Sequence, residues 1–182
     1  MKCKHALILL GALLCASPSA RAGDTAAAEA LFAEARQLMA QGKYAEACPK
    51  LESSNRIDPA TGTLLNLASC YEKLGKTATA WATYLQVAGS PQSGLRADYA
   101  RQRADALLPT LPKLTIRAPN APADAHVTRD GIAVPVGAFG APIPVDPGHH
   151  VIEATAAGRI GFHREIDVAS GATTVVVTLP AP

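Results

Sequence analysis

The last third of the chain contains histidines and acidic residues that could bind a metal ion or take part in catalysis. The set comprises His126, His149, His150, His163, Asp146 and Glu153. A metal site would need three or four of them to converge, and a general base would pair a histidine with a carboxylate such as Asp146. His149 and His150 are neighbours, so on one strand they point to opposite faces. No ligand spacing such as His-x-His or His-Glu-x-x-His occurs, so we expect no metal site.

Other catalytic signatures do not occur in the sequence. It holds no Gly-x-Ser-x-Gly elbow, no phosphate-binding loop and no dinucleotide fingerprint. We therefore expect a protein that is not an enzyme, with no catalytic residues and no cofactor. A secreted enzyme that uses the histidines with Asp146 stays an open alternative, which elemental analysis for bound metal would test.

The first 22 residues have the three parts of a secretory signal. Lys2 and Lys4 precede an apolar stretch at residues 6–16, and small residues end at a cleavage site after Ala22. A retained anchor helix and a lipoprotein signal at Cys15 are the alternatives. Cleavage would leave 14 basic and 15 acidic residues. We therefore expect an exported protein, periplasmic or in the outer envelope or exterior, with no membrane span after cleavage and no nucleic-acid partner.

A shift in proline content divides the rest of the chain. Residues 23–108 contain three prolines and are rich in alanine, whereas residues 109–182 contain ten prolines. The first part has apolar residues at helical spacing, and the second has short alternating runs. The sequence thus predicts an α+β protein of two modules, helical at 23–108 and β at 113–182, with a linker at 109–112.

The helical part contains an internal repeat. GKYAEACPKL begins at Gly42 and GKTATAWATY at Gly75, 33 residues later. Each copy reads as a helix, a glycine turn and a second helix, and the first copy stops at Pro59. This pattern resembles the tetratricopeptide repeat, through Leu31, Ala35, Leu38, Gly42, Tyr44, Ala47, Leu51 and Pro59, then Leu64, Leu67, Ala68, Tyr71, Gly75, Ala80, Tyr84 and Val87. The resemblance implies two stacked hairpins, which a helix at 95–108 would cap; a generic helical bundle is the alternative.

Two cysteines remain after signal cleavage, Cys48 and Cys70. Each lies 11 residues from Pro59, on opposite sides of the turn between the repeats. On antiparallel helices these positions come level, so we predict a disulfide between them. Two buried thiols that never meet are the alternative.

The second part predicts a small antiparallel β-sandwich of six or seven strands. The expected strands cover residues 113–117, 125–129, 132–134, 149–156, 160–168 and 173–179, separated by Gly and Pro turns. Residues 142–158, with their Pro147-Gly148 turn and alternating strand, resemble the PEGA domain, an envelope-associated sandwich. The Asp130-Gly131 hairpin fits the same resemblance, which other small sandwiches could share.

These resemblances imply a scaffold or adaptor of the bacterial envelope that binds a protein or peptide partner. A tetratricopeptide groove is lined by the first helix of each hairpin, which here gives Glu29, Phe32, Arg36, Met39, Leu65, Asn66, Ser69, Glu72 and Lys73. We expect an apolar or mixed peptide along Phe32, Met39 and Leu65. Two alternatives are that these residues pack inside the protein, leaving no groove, and that the sandwich binds carbohydrate or peptidoglycan in the cell wall.

Overall fold

The protein is seen in a computed structural model that describes residues 19–181. In this part of the chain five α-helices precede seven strands, as the predicted α+β class requires. The helices are α1 (Ser19–Ala40), α2 (Tyr44–Ile57), α3 (Thr61–Lys73), α4 (Thr77–Gly89) and α5 (Arg96–Leu107). The strands are β1 (Lys113–Arg117), β2 (His126–Arg129), β3 (Ile132–Ala133), β4 (Pro142–Pro144), β5 (Gly148–Thr155), β6 (Phe162–Val168) and β7 (Ala172–Val176). The predicted signal at 1–22 lies outside the described residues, apart from four residues in the backbone of α1.

Helices α1 to α4 form two hairpins whose glycine turns have the same geometry. Gly42 and Gly75 have φ of +74° and +76°, a conformation that glycine adopts without strain. In both turns the N–H of the residue after the glycine donates to the carbonyl five residues back, Lys43 to Leu38 at 2.9 Å and Lys76 to Tyr71 at 3.0 Å. This is the Schellman helix end. The repeated sequence therefore builds a repeated turn.

Small and large residues of the repeat pack in the two clusters of the helical core. The small residues Ala35, Ala47, Ala68 and Ala80 are completely buried, as are the larger Leu51 and Tyr84. The second hairpin packs against α5, whose buried residues include Ala100 and Ala104. The predicted capping helix is thus present.

A disulfide joins the two hairpins. Cys48 of α2 is bonded to Cys70 of α3, and their Cα atoms lie 5.7 Å apart. Both side chains belong to the first core cluster, together with Leu51 and Leu67. The predicted pairing is therefore present in the structure.

The segment between the modules packs against the helices. Residues Leu108–Thr110 form a 3₁₀ turn, and Leu111 is only 4% exposed within the second helical cluster. Pro112 is also buried, and β1 begins at the next residue. The predicted linker at 109–112 is therefore partly an extension of the helical core.

The β module consists of two sheets around one core. One sheet has the order β4-β1-β7 and the other β3-β2-β5-β6. The core contains Leu114, Val127, Ile152, Val168 and Val175, one from each of five strands. In the first sheet β1 and β7 pair in parallel, whereas the sequence led us to expect antiparallel pairing throughout. Strand β4 was also missed, because Pro142 and Pro144 favour a turn; it lies at a sheet edge, where proline is tolerated.

The predicted alternation of β5 is confirmed. His150, Ile152 and Ala154 are buried, while His149, Glu153 and Thr155 on the other face are exposed. The alternation places one of the two adjacent histidines inside the protein, where it needs polar partners.

The disulfide gives a prediction about stability. Replacing both cysteines, Cys48→Ala with Cys70→Ala, should lower the free energy of unfolding by about 3 kcal/mol, because the bond closes a loop between residues 22 apart and restricts the unfolded chain. Urea unfolding of both proteins under oxidising conditions measures the difference. Dithiothreitol should weaken the wild type by a similar amount and leave the double variant unchanged. Equal stability of the two oxidised proteins would contradict the prediction.

Candidate functional site

The predicted groove residues lie on α1 and α3, the first helices of the two hairpins. Phe32, Met39 and Leu65 are half-buried and contact the helical core with part of their surface. The Arg36 guanidinium lies 5.9 Å from the centre of the Phe32 ring, within the range of a cation–π contact. Glu29 and Lys73 are exposed and Ser69 is half-buried. An apolar surface flanked by charges thus remains partly accessible on these helices.

Two other groove candidates have partners inside the protein. The Asn66 amide donates to the Gly62 carbonyl of its own helix at 2.8 Å. Glu72 accepts from the Tyr84 hydroxyl at 2.9 Å and pairs with Arg103 of α5. Burial and then this hydrogen bond raise the pKa of Tyr84, so the phenol stays a donor. Glu72 therefore ties α3 to α4 and α5.

The histidines do not converge. His126, His149 and His163 are exposed on one face of the four-stranded sheet, and the carboxylates nearest to the last two are 3.4 Å away. His150 points to the other face. Among residues 19–181, no group of three or more histidine, cysteine or acidic side chains has an arrangement that could hold a metal ion.

Asp146 of the β module caps helix α4 of the helical module. Its carboxylate accepts from the Thr79 N–H at 2.9 Å and from the Thr79 hydroxyl at 2.6 Å. Thr79 lies in the first turn of α4, where backbone N–H groups lack partners within the helix. A negative charge at this end also interacts favourably with the helix dipole. A residue 67 positions away in sequence thus does what a local N-cap does elsewhere.

His150 supports the loop that carries Asp146. Its Nε2 lies 2.8 Å from the Asp146 carbonyl oxygen, and its Nδ1 lies 2.8 Å from Oδ2 of Asp130. Both neighbours are oxygen atoms that can accept a hydrogen bond, so each ring nitrogen has a polar partner. His150 therefore connects Asp130 to the Asp146 backbone.

Asp130 occupies the two-residue turn between β2 and β3. Its φ of +53°, followed by Gly131 at +76°, is typical of a type I′ hairpin. Its other oxygen accepts from the Val151 N–H at 2.9 Å. Burial acts to raise the pKa of the Asp130 carboxyl, whereas the hydrogen bonds from His150 and Val151 lower it. With the positive charges nearby, they hold this pKa below its ordinary value.

A cleft of about 650 Å³ lies beside these contacts, between α4 and the β module. Its walls include Trp81 and Lys76 on the helical side, and Arg129, Ile132 and Ile143 on the β side. Asp130, Asp146 and His150 also line it. Aromatic, apolar and charged side chains from both modules therefore meet in one concavity, as they do in many ligand sites.

Sequence reasoning placed His150 on a strand and Asp146 at a turn, and weighed both as parts of a metal or catalytic group. It did not pair Asp146 with Thr79, and it assigned no role to Lys76, Trp81 or Arg129. The one available signal was the absence of a capping side chain at Lys76, the residue before α4, which leaves the helix start in need of a partner.

A scan against models of known protein families matches no family, and a search of curated proteins finds no match to the chain. Within residues 19–181, no helix combines the length and the apolar character needed to cross a membrane.

The cap on α4 can be tested by Asp146→Ala. The change should cost about 1–2 kcal/mol in the free energy of unfolding, because it removes two hydrogen bonds to a carboxylate. Hydrogen exchange gives a local measurement: the Thr79 N–H should exchange roughly tenfold faster or more, since 1.4 kcal/mol corresponds to a factor of ten. The exposed Asp105 of α5 supplies the control variant, Asp105→Ala. Unchanged exchange at Thr79 in Asp146→Ala would disprove the cap.

The lowered pKa of Asp130 predicts an acid dependence of stability. The contribution of the Asp130 charge to the free energy of unfolding is fully present above pH 3.9, which is about the pKa of aspartate in the unfolded chain. It is lost as the pH falls through the lower pKa that Asp130 has in the folded protein. Asp130→Asn keeps a residue that tolerates the turn but removes the charge. At pH 6 the free energy of unfolding of the wild type should exceed that of this variant by at most about 1 kcal/mol. The difference is small because the Asp130 carboxylate is 38% exposed, so solvent screens its interaction with His150.

This difference should shrink toward zero as the pH is lowered below 3.9. Urea unfolding at a series of pH values measures it, with the exposed Asp105→Asn as the control variant. A difference that stays constant from pH 6 to the acid end would contradict the assignment.

Proposed function

We propose that this protein is a non-catalytic adaptor of the bacterial envelope that binds a protein or peptide partner through the helices α1 and α3. The observation that carries the proposal is the pair of stacked hairpins with matching glycine turns. Such stacking leaves the first helices of successive hairpins side by side, and repeat proteins use this surface for binding. The resemblance of the sequence to tetratricopeptide repeats points the same way.

The chemistry of the surface suits a peptide with apolar side chains. Phe32, Met39 and Leu65 are each half-buried, so part of each side chain is available for contact. Arg36 is exposed beside Phe32, and could pair with an acidic group of the partner. An amphipathic helix or an extended apolar segment would match this combination.

The Cys48–Cys70 disulfide supports an exported location, because such bonds persist in oxidising compartments. A PEGA-like module would then dock on another component of the envelope. In this proposal the helical hairpins recognise the partner and the β module positions the protein.

The test is cross-linking of the native envelope fraction, followed by mass spectrometry of what is joined to the protein. Phe32→Glu with Leu65→Glu should abolish capture of the partner, because two charges would be buried at the contact. A matched control is Ile57→Glu with Leu85→Glu, which changes two apolar residues, 42% and 41% exposed, on the second helices of the hairpins.

Arg36→Glu gives a further variant whose exposed position does not threaten folding, and it should weaken capture by about tenfold. Loss of the partner in the groove variant but not in the control supports the proposal, provided that near-ultraviolet circular dichroism shows native packing. Capture of the same partner by all three variants, or of cell-wall fragments alone, would refute it.

A further inference from the structure

The cleft between α4 and the β module is a second candidate site, separate from the surface of α1 and α3. It lies on the second helix of its hairpin, and more than half of its lining residues come from the β module. The proposed function assigns it no role. Its volume of about 650 Å³ is in the range of cavities that hold small ligands or a few residues of a peptide.

The acids of the cleft are already used by the protein. Both oxygens of Asp146 accept hydrogen bonds from Thr79. The two oxygens of Asp130 are engaged by Val151 and His150. Neither carboxylate therefore needs a ligand to complete its hydrogen bonds.

The basic residues of the cleft, Lys76 and Arg129, do not have a full set of partners within the protein. Lys76 lies over the Tyr71 ring at 5.7 Å and, among the described residues, makes no ion pair. The Arg129 Nε is buried and has no hydrogen bond in the described part of the chain, and it lies 3.6 Å from Asp130 in a long ion pair. The Arg129 side chain is 28% exposed, so the accessible part of its guanidinium can still meet a ligand. A buried donor that has no partner destabilises the folded protein. The cleft thus offers hydrogen-bond donors and positive charge to an anionic group.

The apolar part of the cleft indicates what else the ligand carries. Trp81 is half-buried, and Ile132 of β3 is 66% exposed. Strand β3 is at the edge of its sheet, so one side of its backbone has no neighbouring strand among those described. Strand β4 also lines the cleft, but Pro142 and Pro144 lack the N–H groups that strand addition would need. An extended peptide could therefore run along β3.

From this combination we infer that the cleft binds an acidic peptide segment. A carboxylate of the peptide pairs with Lys76 and Arg129, and an adjacent apolar side chain packs against Trp81 and Ile132. The proposal does not depend on recognition by α1 and α3, because no residue of that surface lines the cleft. A negative binding result at one site would therefore not count against the other.

Trp81 makes the test direct, because it is the chain's single tryptophan and its fluorescence reports on the cleft. The probe is the acetylated and amidated pentapeptide Gly-Phe-Glu-Glu-Gly, compared with Gly-Phe-Gln-Gln-Gly. The acidic peptide should change the Trp81 emission with a saturable dependence on concentration, and should bind at least tenfold more tightly than the neutral one. Added salt should weaken binding.

Variants separate the cleft from general charge attraction. Lys76→Gln with Arg129→Gln should weaken binding at least tenfold, whereas Lys76→Arg should keep it. Lys43→Gln is the matched control, since Lys43 follows Gly42 as Lys76 follows Gly75 but does not line the cleft. Far-ultraviolet circular dichroism checks the fold, and Phe32→Glu with Leu65→Glu should bind the probe normally.

Three outcomes would overturn the inference. The first is an emission change that fails to saturate or is equal for the two peptides. The second is equal affinity of wild type and a folded Lys76→Gln, Arg129→Gln variant. The third is that inorganic phosphate displaces the peptide when the two are present at equal concentrations. This result would make the cleft a site for simple anions instead.

Discussion

Close contact between helix backbones is the constraint on which the helical half depends. At Ala35, Ala47, Ala68 and Ala80 no side-chain surface remains exposed, so a larger residue would force the helices apart. A single hairpin cannot cover its own apolar face, and stacking is the available solution. The disulfide fixes the contact between the hairpins, and α5 covers the open side of the second one. A two-hairpin array is short, and these additions compensate for the missing repeats.

A polar contact holds the two modules in one arrangement. Among the described residues their apolar cores form separate clusters, so the angle between the modules does not come from one common core. Leu111 anchors the connecting segment to the helices, and the Asp146 carboxylate fixes the start of α4. Hydrogen bonds depend on direction as well as distance. The contact therefore determines an orientation, and the cleft exists because that orientation is kept.

The hydrogen bonds that hold Asp146 in place continue into the β module. Asp130 binds His150, and His150 binds the backbone of the residue that caps α4. A tight turn, a buried histidine and a helix start are thus connected in one polar chain. Because Asp130 and Asp146 already have hydrogen-bond donors within the protein, Lys76 and Arg129 are left to bind the ligand proposed for the cleft. Contacts of this kind give the buried His150 a role in holding the fold.

The sequence by itself determined the local elements and the repeat. Glycine at Gly42 and Gly75, alanine at the crossings and the level position of Cys48 and Cys70 predicted the hairpins and the disulfide, because turn geometry and helical spacing are local properties. Alternation along β5 predicted that His149 and His150 point to opposite faces, for the same reason. The parallel pairing of β1 with β7, the strand at Pro142–Pro144 and the bond from Asp146 to Thr79 were decided only by the tertiary structure. Each joins or places residues through contacts between distant segments, and no local pattern encodes which distant groups will meet.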